Sequence, residues 1–229
     1  MRDVLHRTLI ACLLILAGSR AVLAQTAPTP AILVLGDSIS AAYGLNVNEG
    51  WVALMGQKLA RAGYGYHLVN ASVSGETTAG ALARLPHLLD VNHPRIVIIE
   101  LGGNDGLRGL PVPEARANLA RIVELARAAG AKPLLLGMRV PPNYGPQYTA
   151  AFAAMYDDTA RELHVPLVPF LLSSIAASDS NFQADRIHPT AAAQPALVDV
   201  VWPMLTPLLG KDKAGSAGSV ARSATTTGH

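Results

Sequence analysis

Ser38 stands two residues beyond Gly36, which closes the apolar run Ile32-Leu33-Val34-Leu35. Four branched, apolar residues in a row read as a strand buried on both faces. In an open α/β sheet, ligands meet the carboxyl ends of the strands, so Ser38 lies where such a sheet presents chemistry. A serine hydroxyl is a weak nucleophile. It needs a base, a group to orient that base, and donors for the oxyanion it creates.

Asp185-Arg186-Ile187-His188-Pro189 can supply the first two. An aspartate three residues before a histidine lies within one turn of it. Its carboxylate can hold the proton on one ring nitrogen and leave the other to accept a proton from a serine. An isolated pair of this kind is more often a turn cap beside a surface histidine. Here the pair follows the last strand, on the edge that carries Ser38, and that favours catalysis. Gly102-Gly103-Asn104-Asp105 follows another strand. The Asn104 amide is a neutral donor suited to an oxyanion, and paired glycines let backbone approach a ligand; a simple Gly-Asn turn would look the same. Gly75, in Ser72-Val73-Ser74-Gly75, can offer a backbone N–H or serve only as a turn glycine. Glu100, near the end of a buried strand, reads as structural and hydrogen-bonded to loop backbone, because a buried carboxylate needs partners. His67, His87, His93 and His164 show no metal-ligand spacing, and no H-E-x-x-H occurs.

Strand-like and helix-like segments alternate around these residues. Strands are expected at 32–35, 66–71, 96–101, 134–138 and 165–170. Helical spacing runs through Trp51–Ala62, from Thr77 toward Asp90 with a kink or restart at Pro86, from Pro113 to a stop at Gly130, through Phe152–Leu163, and through Leu197–Leu208 with a bend at Pro203. Pro189 and Thr190 look like a helix start. Five apolar strands alternating with helices predict a parallel sheet covered on both faces by right-handed crossovers. All the polar clusters then fall on one edge.

The chain has 229 residues, 50% hydrophobic and 15% charged, which suits one domain with a sizeable core. Arg2 and Arg7, the apolar run Leu9–Gly18, and Val22 and Ala24 before a cut form a secretory signal peptide, with cleavage expected after Ala24. The apolar run falls short of the ~20 residues that span a bilayer. Cys12, the only cysteine, lies in that signal, and its lipobox-like setting fails because the apolar run continues past it. The mature chain would therefore have no disulfide and no cysteine nucleophile. Removing Arg2, Arg7, Arg20 and Asp3 from the 18 basic and 16 acidic residues leaves 15 of each. A neutral mature chain speaks against a nucleic-acid surface or an electrostatic membrane anchor. Residues 25–30 read as a linker, 31–209 as the folded domain and 210–229 as a Gly/Ala/Ser/Thr tail unable to order itself.

Gly36-Asp37-Ser38, Gly75, Gly102-Gly103-Asn104-Asp105 and Asp185-x-x-His188-Pro189 resemble, in order and context, the four blocks of the SGNH hydrolases, also called GDSL esterases. The likeness extends through residues 100–110 (ELGGNDGLRGL), Ala83-Arg84-Leu85-Pro86, Pro141–Gly145 and Val165–Phe170. These are similar to the periplasmic multifunctional acyl-CoA thioesterase/lysophospholipase branch, which includes arylesterases. The resemblance covers Ile32 to Leu209. It implies a flavodoxin-like three-layer α/β/α fold with a five-stranded parallel sheet of order 2-1-3-4-5. It implies Ser38 as nucleophile, His188 as base and Asp185 as its orienter. The oxyanion hole would be the Ser38 and Gly75 N–H groups with the Asn104 side chain. Asp37, Leu107, Val140, Pro141 and Ile187 would touch substrate, and no cofactor or metal is expected. The substrate would be a small acyl ester or thioester, and the protein a periplasmic or secreted monomer with no membrane segment after signal cleavage. Val140 stands where the branch suggests a leucine, which leaves chain-length preference open. The loops 106–111 and 137–148, apolar and Gly/Pro-rich, are expected to line an acyl groove.

Three other functions were weighed against the sequence. A carbohydrate O-acetyl esterase would want a stacking platform, yet aromatic residues make up 5% of the chain. A nucleotide-binding domain would want G-x-G-x-x-G or a Walker loop, and neither occurs. A non-catalytic secreted binding protein on the same fold would tolerate loss of Ser38. No G-x-S-x-G is present, which argues against the α/β-hydrolase fold.

Overall fold

The computed structural model describes residues 29–210. The expected signal peptide, most of the expected linker and the expected tail after Gly210 fall outside the described residues. Five strands form one parallel sheet: β1 (Ala31–Gly36), β2 (His67–Asn70), β3 (Ile96–Glu100), β4 (Lys132–Leu136) and β5 (Leu167–Val168), in the order β2-β1-β3-β4-β5. Six helices connect and cover them: α1 (Trp51–Arg61), α2 (Thr78–Asn92), α3 (Gly103–Leu107), α4 (Val112–Ala128), α5 (Pro146–Leu163) and α6 (Gln194–Leu205). Helices α1 and α6 pack together, while α2, α4 and α5 pack side by side. The sheet lies between helices on both sides, and the α/β order expected from the sequence is the one found.

The two central strands explain why. Ile32 to Leu35 and Ile96 to Ile99 are wholly buried, so each strand loses its apolar surface to helices on both faces. Each such side chain contributes about 1.5–3 kcal/mol on burial. Helix α1 shows its inward stripe in Trp51, Val52, Met55 and Leu59. Thr77 caps α2 by accepting from Gly80 N at 3.3 Å, and His93 ends that helix in a left-handed conformation.

Three expectations need adjusting. Pro86 and Pro203 both lie inside continuous helices, so Pro86 marks no restart. Both sit on exposed faces, where water can satisfy the carbonyl that a proline leaves unpartnered. Strand β5 is two residues long and not six, because Pro166 and Pro169 flank it and neither has an N–H for the ladder. Pro189-Thr190 does not open an α-helix directly; a short 3-10 turn at Ala191–Ala193 precedes α6.

Candidate active site

Strand β1 ends in register with β3, Gly36 opposite Glu100. That pairing places the loop carrying Ser38 over the carboxyl end of β3. Gly36 must be glycine: a Cβ there would come within 2.7 Å of Ser40 Cβ and 2.8 Å of Ser72 Oγ. The loop then turns back, with Ala41 N donating to Asp37 O and Tyr43 N to Ser38 O. Ser40 anchors it below: its hydroxyl donates to Glu100 Oε2 at 2.7 Å and accepts from Trp51 Nε1 at 3.2 Å.

The second half of the site comes from the irregular segment before α6. Phe182 and Pro189 form an antiparallel bridge, and Gln183 N donates to His188 O at 2.8 Å. Residues 184–187 are thus the tip of a small hairpin. Arg186 turns that tip in the left-handed region, φ 59°. Gln183 Nε2 donates to Tyr43 O at 2.8 Å and to Pro189 O at 3.1 Å, tying the histidine hairpin to the serine loop.

His188 Nε2 lies 2.8 Å from Ser38 Oγ, and His188 Nδ1 lies 2.6 Å from Asp185 Oδ2. The other Asp185 oxygen accepts from Ile187 N at 2.9 Å and His188 N at 3.0 Å. Turn cap and histidine orienter, which compete as readings of D-x-x-H, are both realised, one per oxygen. Burial alone would raise the Asp185 pKa. The hydrogen bonds from the His188 backbone, its ring and the Ile187 backbone outweigh that and hold it at about 2. Asp185 is therefore an anion at neutral pH and can only accept from the His188 Nδ1 it faces. The Tyr43 ring lies against the imidazole, centroids 4.4 Å apart.

Ser38, Gly75, Asn104 and His188 border one cavity of about 660 Å³. Asn104 lies in the first turn of α3, not on the plain Gly-Asn turn that was the alternative to an oxyanion donor. Gly102 takes φ 105° to start that helix, against the Tyr156 hydroxyl. The Asn104 amide donates to Asp37 Oδ2 at 3.2 Å. Gly75 takes φ 81°, and Arg108 Nη2 holds its loop by donating to Gly75 O at 2.9 Å. Asp105, buried, accepts from Thr78 N and Thr78 Oγ1 at 2.9 and 2.6 Å, so it joins α3 to the start of α2.

Leu107, Val140, Pro141 and Ile187 all line the cavity, with Met138, Phe170 and Leu172 beside them. An apolar cleft with few convergent polar groups suits an acyl chain. Asp37 borders it too, but both carboxylate oxygens are engaged by protein, Oδ1 by Ile39 N at 3.0 Å and Oδ2 by Asn104. Glu100 is wholly buried. Its Oε2 meets the loop backbone as expected, accepting from Asp37 N at 3.3 Å, while Oε1 has no partner. Tyr43 and Gln183 were not singled out from the sequence; neither has a motif, and each works across the gap between two loops. Among the described residues no cluster of His, Cys, Asp or Glu is arranged to hold a metal ion, and no helix is long and apolar enough to cross a membrane.

Residues 34–195 match the model of the GDSL-like lipase/acylhydrolase family. The chain is 52% identical to the esterase TesA of Pseudomonas aeruginosa over 198 residues, 86% of this chain and 98% of that protein. It is 42% identical over 188 residues to thioesterase 1/protease 1/lysophospholipase L1 of Escherichia coli K12, 82% of this chain and 89% of that protein. A crystal structure of TesA superposes with a TM-score of 0.76 at 54% identity, covering 78% of this chain and 99% of the other.

Proposed function

The chain belongs to the GDSL-like lipase/acylhydrolase family, and from that premise we propose that it is a serine esterase and thioesterase cleaving acyl esters, acyl thioesters and lysophospholipids. The observation that carries this reading is the unbroken chain from Ser38 Oγ through His188 to Asp185, at 2.8 and 2.6 Å. The names of the relatives, an esterase and a thioesterase/lysophospholipase, support the substrate class.

Ser38 attacks the acyl carbonyl while neutral His188 takes the hydroxyl proton at Nε2. The imidazolium that forms is stabilised by the Asp185 anion. The carbonyl oxygen, now negative, is received by the Ser38 and Gly75 N–H groups and the Asn104 amide. His188 returns its proton to the departing alcohol or thiol, leaving an acyl-enzyme. Water, activated by the same imidazole, then releases the acid. The acyl chain lies along Leu107, Val140, Pro141 and Ile187. The protein is exported, cut after Ala24, and acts as a periplasmic or secreted monomer.

The test is a ladder of nitrophenyl esters, from acetyl to long acyl, run beside an acyl-CoA and a lysophospholipid. The wild type is expected to hydrolyse all three classes and the Ser38→Ala variant none. Turnover that survives in Ser38→Ala would overturn the mechanism. Activity confined to acetylated sugars would replace the substrate class.

A further inference from the structure

Two buried carboxyl groups stand directly behind the nucleophile, and neither is used in the steps above. Asp37 is 2% exposed and Glu100 0%. They meet because Gly36 and Glu100 are in register, so the residue after Gly36 lies over the end of β3. Glu100 Oε2 is saturated by the Ser40 hydroxyl and Asp37 N. Its Oε1, wholly buried, has no partner. An ionised carboxylate would leave that oxygen charged and unsolvated, which is costly; a proton on Oε1 removes the charge. Asp37 differs. Its Oδ1 accepts from Ile39 N and its Oδ2 from Asn104 Nδ2, two donors that both favour an anion.

We propose that Glu100 is a neutral acid that keeps Asp37 anionic, and that Asp37, through Oδ2, positions the Asn104 amide to donate its second N–H to the oxyanion. This rests on the hydrolase reading above and extends it by a relay in which Glu100 and Asp37, positioning residues that never touch substrate, act through the Asn104 amide. The Asn104 amide has two faces. An anion at Asp37 accepts only, so Nδ2 must face it. The oxygen of the amide is thereby turned away, and the remaining N–H is directed to where an oxyanion can form.

The direction of titration agrees. Burial pushes Glu100 well above the usual carboxylate range, and the Asp37 charge pushes it further. Burial raises Asp37 to about 6, restrained by hydrogen bonds from Ile39 N and the Asn104 amide and by the charge of His188. Both directions agree with the pair's proton being held on Glu100 rather than on Asp37. The other titratable groups acting on or with the pair are His188, which faces Asp37, and the Tyr156 phenol, which both carboxyls and Asp105 reach. Tyr156 is held neutral by burial and by those carboxylates, and its hydroxyl donates to Leu101 O.

The test is a cycle of Asp37→Asn, Asn104→Ala and the double variant, with Glu100→Gln and Glu100→Ala alongside. Each is assayed for kcat and KM on a nitrophenyl ester from pH 5 to 9, with thermal unfolding to confirm a folded chain. Asn104→Ala is expected to lower kcat by about 10²–10³-fold. Asp37→Asn presents a donor that turns the Asn104 amide over, and is expected to lower kcat by roughly tenfold to a hundredfold with KM nearly unchanged. The double variant should be no worse than Asn104→Ala within about threefold, since both changes remove one donor. Glu100→Gln keeps a neutral group in place and should retain the wild-type acid limb of kcat/KM and most of the activity that Glu100→Ala loses. Multiplying effects in the cycle would overturn the relay. So would an acid limb that moves to lower pH in Glu100→Gln, because that shift means a negative charge was removed. If Asn104→Ala itself leaves kcat unchanged, the oxyanion assignment falls and the relay with it, whereas a failed cycle with a damaging Asn104→Ala sinks the relay alone.

Discussion

Asp37 and Asp185 are the same residue type, each at the site, and their surroundings drive them in opposite directions. Asp37 lies at the end of a central strand, 2% exposed, and burial raises its pKa to about 6. Asp185 lies on a hairpin tip with its side chain 37% exposed, and four hydrogen-bond and charge contributions from Ile187 and His188 lower it to about 2. The lesson is that a carboxylate near an active site is assigned by its donors and its solvent, not by its distance from the nucleophile. The strand end supplies rigidity and a dry setting. The hairpin supplies charge that stays ionised whatever the pH of the assay.

The sharpest way to break this contrast is to remove each charge in turn. Asp185→Asn leaves the hairpin turn capped but can donate to His188 Nδ1, which reverses the tautomer. kcat is expected to fall by on the order of 10³–10⁴-fold, a larger loss than for Asp37→Asn. Equal losses measured under saturating nitrophenyl ester would erase the distinction.

Stability should move the other way. The folded pKa of Asp37 is raised, so its contribution is present below its ordinary value of 3.8 and is lost as pH rises through about 6. That of Asp185 is lowered, so its contribution is present above 3.8 and is lost as pH falls toward about 2. Asp37→Asn should therefore gain on the wild type in thermal unfolding between pH 4 and 7, by about 2–4 °C if the net effect is ~1 kcal/mol. Asp185→Asn should lose its deficit only in strong acid. A Tm difference for Asp37→Asn that is flat across pH 4–7 would contradict the raised pKa.

The smallest effect concerns the tie between the two regions. Gln183→Ala removes the side-chain hydrogen bond to Tyr43 O that joins the hairpin to the serine loop and the one to Pro189 O within the hairpin. We expect a cost of about 1 kcal/mol in urea unfolding and a modest fall in kcat with KM unchanged. Wild-type kcat in a destabilised Gln183→Ala would show that the two loops find each other without it.

Much of this was legible before any coordinates. Unbroken apolar runs named the buried strands, and the loops after them named Ser38, Gly75, Asn104 and His188, because a parallel sheet brings those loops to one edge. What escaped was whatever depends on cross-loop contact. Gln183 and Tyr43 sit in segments without periodicity, and their partners lie about 140 residues away in the chain. The short helix that carries Asn104 was not legible, because Gly102-Gly103 is as compatible with a turn as with a five-residue helix. Glu100 was correctly read as a buried carboxylate needing loop partners, but strand register decides which carboxyl it meets, and register is not written in one strand alone. The apolar run 165–170 overstates β5, because Pro166 and Pro169 confine pairing to Leu167–Val168.

The central claim is that Ser38, made nucleophilic by His188, carries the acyl group. The most direct measurement is intact mass and peptide mapping after a fluorophosphonate probe reacts with the wild type and with the Ser38→Ala and His188→Ala variants. A single adduct on Ser38, absent from Ser38→Ala and formed far more slowly in His188→Ala, is the expected result. An adduct on another residue, or labelling that persists in Ser38→Ala, would contradict the account.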